Sequence, residues 1–320
     1  MNTKSSVVVT GGAGFIGSHL VERLLADGKH VVAIDDLSTG NLKNLDAARR
    51  NPDFEFRQAK VSACPQLDGW MAGAESVYHL AAAVGVELVV KSPIRTIETN
   101  LRETEVILEA ASKNGVPVLL TSTSEVYGKS QNPEFSEDDD LLIGPPHLGR
   151  WSYACSKLMD EFLALAYARE RGLPVTIARL FNTVGPRQTG RYGMVLPRFI
   201  AAAKAGKPLR VFGDGRQSRC FCDVLETVEA LVRLHRCPAA RGEVFNVGSS
   251  EEVSILQLAE LIIEKLASSS KIEFVPYQQA YSPGFEDMLR RRPKMDKLVG
   301  TVGFRPHLSL ESIIAKLAAA

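Results

Sequence analysis

Residues Val7-Val8-Val9-Thr10 run straight into Gly11-Gly12-Ala13-Gly14-Phe15-Ile16-Gly17, and a helical pattern follows to Asp27. A β-branched apolar run ending in three glycines at three-residue spacing fits a buried parallel strand that turns tightly onto a helix, with the helix N-terminus facing an anion. Gly11 permits the turn, Gly14 lets backbone approach a pyrophosphate, and Gly17 lets the helix pack close to the strand. Phe15 and Ile16 fall in the same turn and join the expected cofactor contacts. The spacing is G-x-x-G-x-x-G rather than G-x-G-x-x-G, and glycines alone fit any turn. The second strand settles the reading: Val31 to Ile34 ends at Asp35, where a carboxylate accepts hydrogen bonds from adenosine ribose hydroxyls and repels a 2′-phosphate. NAD, rather than NADP, is the expected cofactor. Asp36 reads as a solvated loop acid.

The same alternation of short apolar runs and helical patterns continues to Leu180, with strands at Ser76 to Leu80, Val118 to Thr121 and Val175 to Leu180 and helices at Ile97 to Asn114 and Ser152 to Arg171. It predicts an α/β fold, a Rossmann-like doubly wound parallel sheet. After Asn182 the texture becomes Gly/Pro-punctuated, with helices near Leu196 to Ala205, Leu225 to His235 and Ile255 to Lys265 and a strand near Leu209 to Phe212. Residues 1–180 are the expected dinucleotide-binding part and residues 181–320 a smaller C-terminal substrate-binding lobe, the two interleaved. Asn132 to Pro146 and Tyr277 to Pro293 read as loops.

Composition narrows the partners. Thirty-eight Lys and Arg balance 37 Asp and Glu, a net charge of +1, so no nucleic acid is expected and any anionic ligand should be small. No apolar stretch nears the roughly 20 residues of a membrane span, and the first six residues are polar or small apart from Met1. The expectation is a cytoplasmic protein with no membrane contact. Five cysteines without paired C-x-x-C spacing argue against a disulfide framework, and no metal site is expected.

Two further segments carry chemistry. Thr121-Ser122-Thr123-Ser124-Glu125 follows an apolar strand, and Tyr153-Ala154-Cys155-Ser156-Lys157 opens a helix. Tyr153 and Lys157, four residues apart, share a helix face, so the ammonium can lower the phenol pKa and let a tyrosinate act as a base. Beside a dinucleotide site, such a base suits oxidation of an alcohol. Glu125 reads either as a second acid–base group or as a helix-capping or loop acid.

The ordered set V-T-G-G-A-G-F-I-G-S-H-L (Val9 to Leu20), H-L-A-A (from His79), S-T-S-E-V-Y-G (Ser122 to Gly128), Tyr153/Lys157, R-L-F-N-T-V-G-P-R (Arg179 to Arg187) and F-G-D-G-R-Q-S-R (Phe212 to Arg219) spans nearly the whole chain. It resembles the extended short-chain dehydrogenase/reductases that act as nucleotide-sugar epimerases, dehydratases and decarboxylases. The resemblance implies a tightly held NAD that oxidises the sugar at C4, with Tyr153 taking the hydroxyl proton, Thr123 or Ser122 orienting the sugar and Lys157 on the nicotinamide ribose. Leu80 and Ala81 are implied as further cofactor contacts. The 4-keto sugar can then be re-reduced on its other face, lose water, or, with a C6 carboxylate, lose carbon dioxide.

Ser124-Glu125 stands where dehydratases carry Asp-Glu, and S-T-S-E-V-Y-G with Arg291-Arg292-Pro293 resembles UDP-glucuronate decarboxylases. Decarboxylation of UDP-glucuronate to UDP-xylose is therefore the expected reaction, with a UDP-sugar C4 epimerase as the alternative and a non-catalytic NAD-binding protein as the remote one. The segment after His79 resembles epimerases more, and Lys60-Val61 stands where the family often has an Asp beside the adenine. For the sugar nucleotide the resemblance implies Ser124, with Asn182 and Arg219 near the diphosphate and Arg291 or Arg292 as a further cation. Phe212 could pack on the base or be an ordinary core aromatic. Arg187 and Arg191 flank a Gly-rich loop and contact substrate or solvent. The resemblance also implies a homodimer built on the helices containing Glu98 to Asn114 and Ser152 to Arg171.

Overall fold

Strand β1 (Ser6–Thr10) lies between β2 (His30–Asp35) and a later strand, and its valines alternate between two cores. A computed structural model of the chain describes residues 6–83, 92–188, 194–280 and 288–319. The remaining sheet strands are β3 (Phe54–Gln58), β4 (Ala74–His79), β5 (Val118–Thr123) and β6 (Val175–Leu180), joined by β10 (Glu243–Val247) after β7 (Asn182–Val184), β8 (Leu209–Phe212) and β9 (Ser218–Asp223). The sheet order is β10-β6-β5-β4-β1-β2-β3, all parallel. The direction of winding reverses between β1 and β4, which opens a crevice at the carboxyl ends of those strands.

Helices cover both faces. Val7 and Val9 point into one core with Leu20, Val21 and Leu24 of α1 (Phe15–Ala26). Val8 points into the other, with Ile107, Leu108 and Ala111. That second face is covered by α2 (Leu67–Ala72), α3 (Pro93–Asn114) and α4 (Trp151–Arg171). A strand buried on both faces must be apolar at every position, which is why these strands read as continuous valine and leucine runs.

The chain beyond β6 builds a second core. Leu196, Phe199 and Ile200 of α5 (Val195–Lys204) meet Leu258 and Ile262, with β8 beneath them. Between them in sequence, α6 (Val224–Arg236) is capped by Asp223, whose carboxylate accepts from Leu225 N, and packs back on the large sheet beside α1. α7 (Ile255–Lys265) starts with a reciprocal cap between Ser254 and Gln257. Small sheets β11-β9-β7, with β11 at Glu252–Ser254, and β12-β8, with β12 at Ile272–Val275, complete this part. Towards the C-terminus the described residues form α8 (Tyr277–Ala280), α9 (Asp296–Val302) and α10 (Leu310–Ala319). Because β10 and α6 return to the large sheet, the two parts are interwoven and the crevice lies between them.

Candidate active site

A cavity of about 550 Å³ occupies this crevice, within the range of small-ligand sites. Every site residue expected from sequence that falls among the described residues lines it. Gly11, Gly14, Phe15, Ile16 and Gly17 form one wall with Asp35, Leu80 and Ala81. Ser122, Thr123, Ser124, Glu125, Tyr153 and Lys157 form the floor, and Asn182, Arg187, Phe212, Arg219 and Arg291 close the far side. Arg191 lies outside the described residues.

The first wall fits a dinucleotide. Gly11 has φ +69°, and a Cβ there would stand 2.8 Å from Ala81 N. A side chain at Gly17 would collide with the Gly11 carbonyl. Helix α1 begins at a glycine N-cap that offers no side-chain cap, so its first N–H groups face the cavity for an anion. Asp35 accepts hydrogen bonds from Ala13 N (2.9 Å) and Leu37 N (2.8 Å). Burial raises its pKa, and these N–H donors oppose the rise. Its carboxylate lines the cavity and presents acceptors suited to ribose hydroxyls.

The catalytic floor departs from expectation in one respect. Lys157 Nζ donates to Asp160 Oδ2 at 2.8 Å, and both side chains are buried. Burial pushes the Tyr153 phenol well above its ordinary pKa; the Glu125 and Asp160 charges push the same way, while a hydrogen bond with Thr123 opposes them. The charge expected from Lys157 to lower that pKa is thus largely neutralised by a carboxylate three residues along the same helix. Thr123 also accepts from Glu125 N at 3.2 Å, which fixes the turn where β5 ends.

Other side chains are held by structure. The Ser122 hydroxyl donates to Glu161 Oε1 at 2.5 Å. Asn182 donates to Cys220 O at 3.0 Å, and Arg219 Nη1 donates to Met288 O at 2.9 Å. Arg187, in a left-handed conformation, pairs with Glu22 at 2.6 Å. The Arg198 guanidinium lies 4.2 Å from the centroid of Phe212, whose ring lines the cavity. On the substrate side Arg291 Nη1 stands 3.5 Å from Glu125 Oε1. Arg95, Thr99, Arg150 and Gln217 also line the cavity and were missed in the sequence. Arg150 carried a usable signal, because it precedes Tyr153 by three residues and so shares its side of the helix start. Among the described residues no cluster of His, Cys, Asp and Glu could hold a metal.

A doubly wound sheet with a pyrophosphate cradle at its switch point, and a Tyr/Lys pair on the helix beside β5, defines an NAD-dependent enzyme of the short-chain type. The chain belongs to the NAD dependent epimerase/dehydratase family, whose pattern matches residues 7–248. It is 43% identical, over 96% of its own length and 95% of the relative's, to the UDP-N-acetyl-alpha-D-glucosaminuronate decarboxylase of Bacillus cytotoxicus. It is 37% identical to UDP-glucuronic acid decarboxylase 4 of Arabidopsis thaliana, over 95% of this chain and 66% of that protein. Among solved structures it resembles UDP-glucuronic acid 4-epimerase from Bacillus cereus in complex with UDP-glucuronic acid and NAD, with TM-score 0.87, 29% identity and 98% of each chain covered. NAD is its cofactor, and the cradle described above has the shape and donors to hold it.

Proposed function

We propose that this enzyme decarboxylates a UDP-linked hexuronate through a 4-keto sugar. The observation that carries the proposal is the Glu125–Arg291 pair, an acid–base group and a guanidinium 3.5 Å apart in the cavity that also holds Tyr153 and Thr123. A C4 alcohol at Tyr153 with a C6 carboxylate at Arg291 would leave a β-keto acid once C4 is oxidised. Held by the Gly11–Gly17 turn and Asp35, NAD would supply a reversible hydride acceptor for C4, so no external redox partner would be consumed.

Tyr153 takes the C4 hydroxyl proton, and Thr123 orients that hydroxyl. Arg291 holds the carboxylate by a charge-assisted contact. The C5–C6 bond then breaks, its electron pair passes into the C4 carbonyl as an enolate, and carbon dioxide leaves. Glu125 delivers the proton that C5 must gain. Asn182, Arg219 and Arg187 serve the diphosphate, and Phe212, steadied by Arg198, stacks on the base. The 43% identical relative favours a 2-acetamido hexuronate as the first substrate to try, ahead of UDP-glucuronate.

The proposal includes a homodimer and a cytoplasmic setting. Exposed Met159 and Phe162 on α4 and Ile94 on α3 support pairing of these helices with their copies. Five free thiols suit a reducing compartment, and no helix among the described residues is long and apolar enough to cross a membrane.

The test is incubation with UDP-N-acetylglucosaminuronate, UDP-glucuronate and UDP-glucose separately, products being followed by mass and proton NMR. Loss of carbon dioxide from a uronate establishes the reading. An unchanged mass with an inverted C4 signal replaces it with epimerisation, the chemistry named for the Bacillus cereus structure.

A further inference from the structure

Helix α4 carries a buried acid that the proposed chemistry does not use. Asp160 is fully buried, and Lys157 Nζ is its 2.8 Å partner through Oδ2. The other oxygen, Oδ1, is buried with no hydrogen-bond partner among the described residues; burial raises the Asp160 pKa, while Lys157 and the Thr104 hydroxyl of α3, which faces the carboxylate, oppose the rise. Thr104 Oγ1 lies 3.3 Å from His79 Nε2, and His79 Nδ1 lies 2.7 Å from Thr10 Oγ1. Thr10 Oγ1 in turn accepts from Ala81 N at 3.1 Å.

These contacts have one consistent polarity. Burial, with Lys157 nearby, lowers the His79 pKa to about 3, so the imidazole is neutral and has one N–H. His79 Nδ1 accepts from the Thr10 hydroxyl, which accepts from Ala81 N–H. A neutral ring that accepts at Nδ1 donates from Nε2–H to Thr104 Oγ1. A directed chain joins the cofactor wall at Ala81 to Thr104, which faces the carboxylate that holds Lys157.

We propose that Asp160 is a positioning residue: it fixes Lys157 and, ionised, sets a negative charge behind the Tyr153/Lys157 pair. This rests on Tyr153 being the base. Lys157 reaches only as far as its tether allows, and its charge acts on Tyr153 against that of Asp160. The titratable groups around Asp160 are Lys157, Glu161 and Tyr153 on α4, with neutral His79 of β4 beyond Thr104, while Arg179 on β6 is spent on Glu161. Glu125 and Asp160 are the two anions acting on the phenol, and only Asp160 lies outside the substrate's reach.

The experiment compares pH profiles of kcat/KM for the wild type, Asp160→Asn and Asp160→Glu, with thermal stability and the Kd for NAD measured alongside by calorimetry. In Asp160→Asn the acidic limb should move to lower pH by at least about half a unit, as expected for removal of a like charge at this range. The Kd for NAD should change several-fold, and Asp160→Glu should restore both. An unmoved limb with only a lower melting temperature would make Asp160 a packing element and overturn the inference. A limb moved to higher pH would overturn it as well, since Lys157 would then have lost its own charge. Full activity in Tyr153→Phe would instead sink the base assignment on which the inference rests, and is read separately.

Discussion

Arg179 grips Glu161 with both Nε and Nη2, at 3.0 and 2.7 Å, inside the layer between β6 and α4. The Ser122 hydroxyl adds a third donor to the same carboxylate, and Arg179 lies 4.9 Å from the centroid of the Tyr127 ring. This ion pair fastens the helix that carries Tyr153 and Lys157 to β6, and the Ser122 hydrogen bond joins the same carboxylate to β5, the strand that carries Thr123. Breaking one partner leaves a buried charge uncompensated, so Glu161→Gln should cost about 3–5 kcal/mol of stability. A Glu161→Met/Arg179→Met double variant should recover much of that loss, since neither charge is then buried. Urea unfolding of the three proteins checks both statements.

Gly11 sits tight against the end of β4 in the cofactor wall, with a left-handed φ of +69°. Alanine there would need a left-handed conformation, costing roughly 1–2 kcal/mol, and would press its Cβ on the β4 end at Leu80 and Ala81. Gly11→Ala should therefore fold with reduced stability and lose at least tenfold in NAD affinity, measured by calorimetry. Unchanged NAD affinity would move the pyrophosphate away from this turn.

Much of this was readable from the chain because the relevant physics is local. Val175 to Leu180, Leu209 to Phe212 and Ile255 to Lys265 were placed to the residue, each bounded by turn or capping residues. β3 was missed because Phe54-Glu55-Phe56-Arg57-Gln58 sits at a sheet edge, where one face is exposed and the apolar run breaks up. β10 was missed because its membership in the large sheet is decided by pairing with β6, more than 60 residues earlier in the chain. The Lys157–Asp160 pair sits at helix spacing and was visible in principle. That the carboxylate is buried there, and thereby offsets Lys157, follows only from how α3 packs on α4.

Histidines whose pKa values burial lowers, His19, His79 and His235, give the protein an acid-sensitive fold. Burial lowers His79 to about 3 and His235 to about 4, from an ordinary value of 6.5. Below pH 6.5 the unfolded chain binds protons that the folded chain refuses, so stability falls as pH drops from 6.5 towards 4. Each histidine costs up to about 1.4 kcal/mol per pH unit in that window. Glu229 and Glu252, whose arginine partners lower their pKa values, add to the loss at the acidic end. Buried Asp35 and Glu137, with raised values, oppose it there. Unfolding midpoints at pH 7.5 and 5.5 should differ clearly, and the difference should shrink in His235→Phe. An equal pH dependence in that variant would remove His235 from the account.

In the proposed reaction Glu125 and Arg291 have roles distinct from that of Tyr153, and single variants separate them. Tyr153→Phe should abolish turnover of every substrate while NAD still binds, because no oxidation at C4 can begin. Glu125→Gln removes a proton carrier but leaves the C4 chemistry in place, so decarboxylation should fall by about 10²–10⁴-fold with NAD affinity unchanged. Arg291→Met should chiefly raise KM for the uronate, since the carboxylate loses its cation, and should leave binding of a neutral UDP-sugar less affected. Product mass and reduced-cofactor absorbance, read in the same experiment, distinguish these outcomes: a 4-keto sugar that accumulates with NADH in Glu125→Gln would place Glu125 after the oxidation. Glu125→Gln with wild-type decarboxylation would leave Glu125 as the acid that turns the chain out of β5, and would require another group to protonate C5.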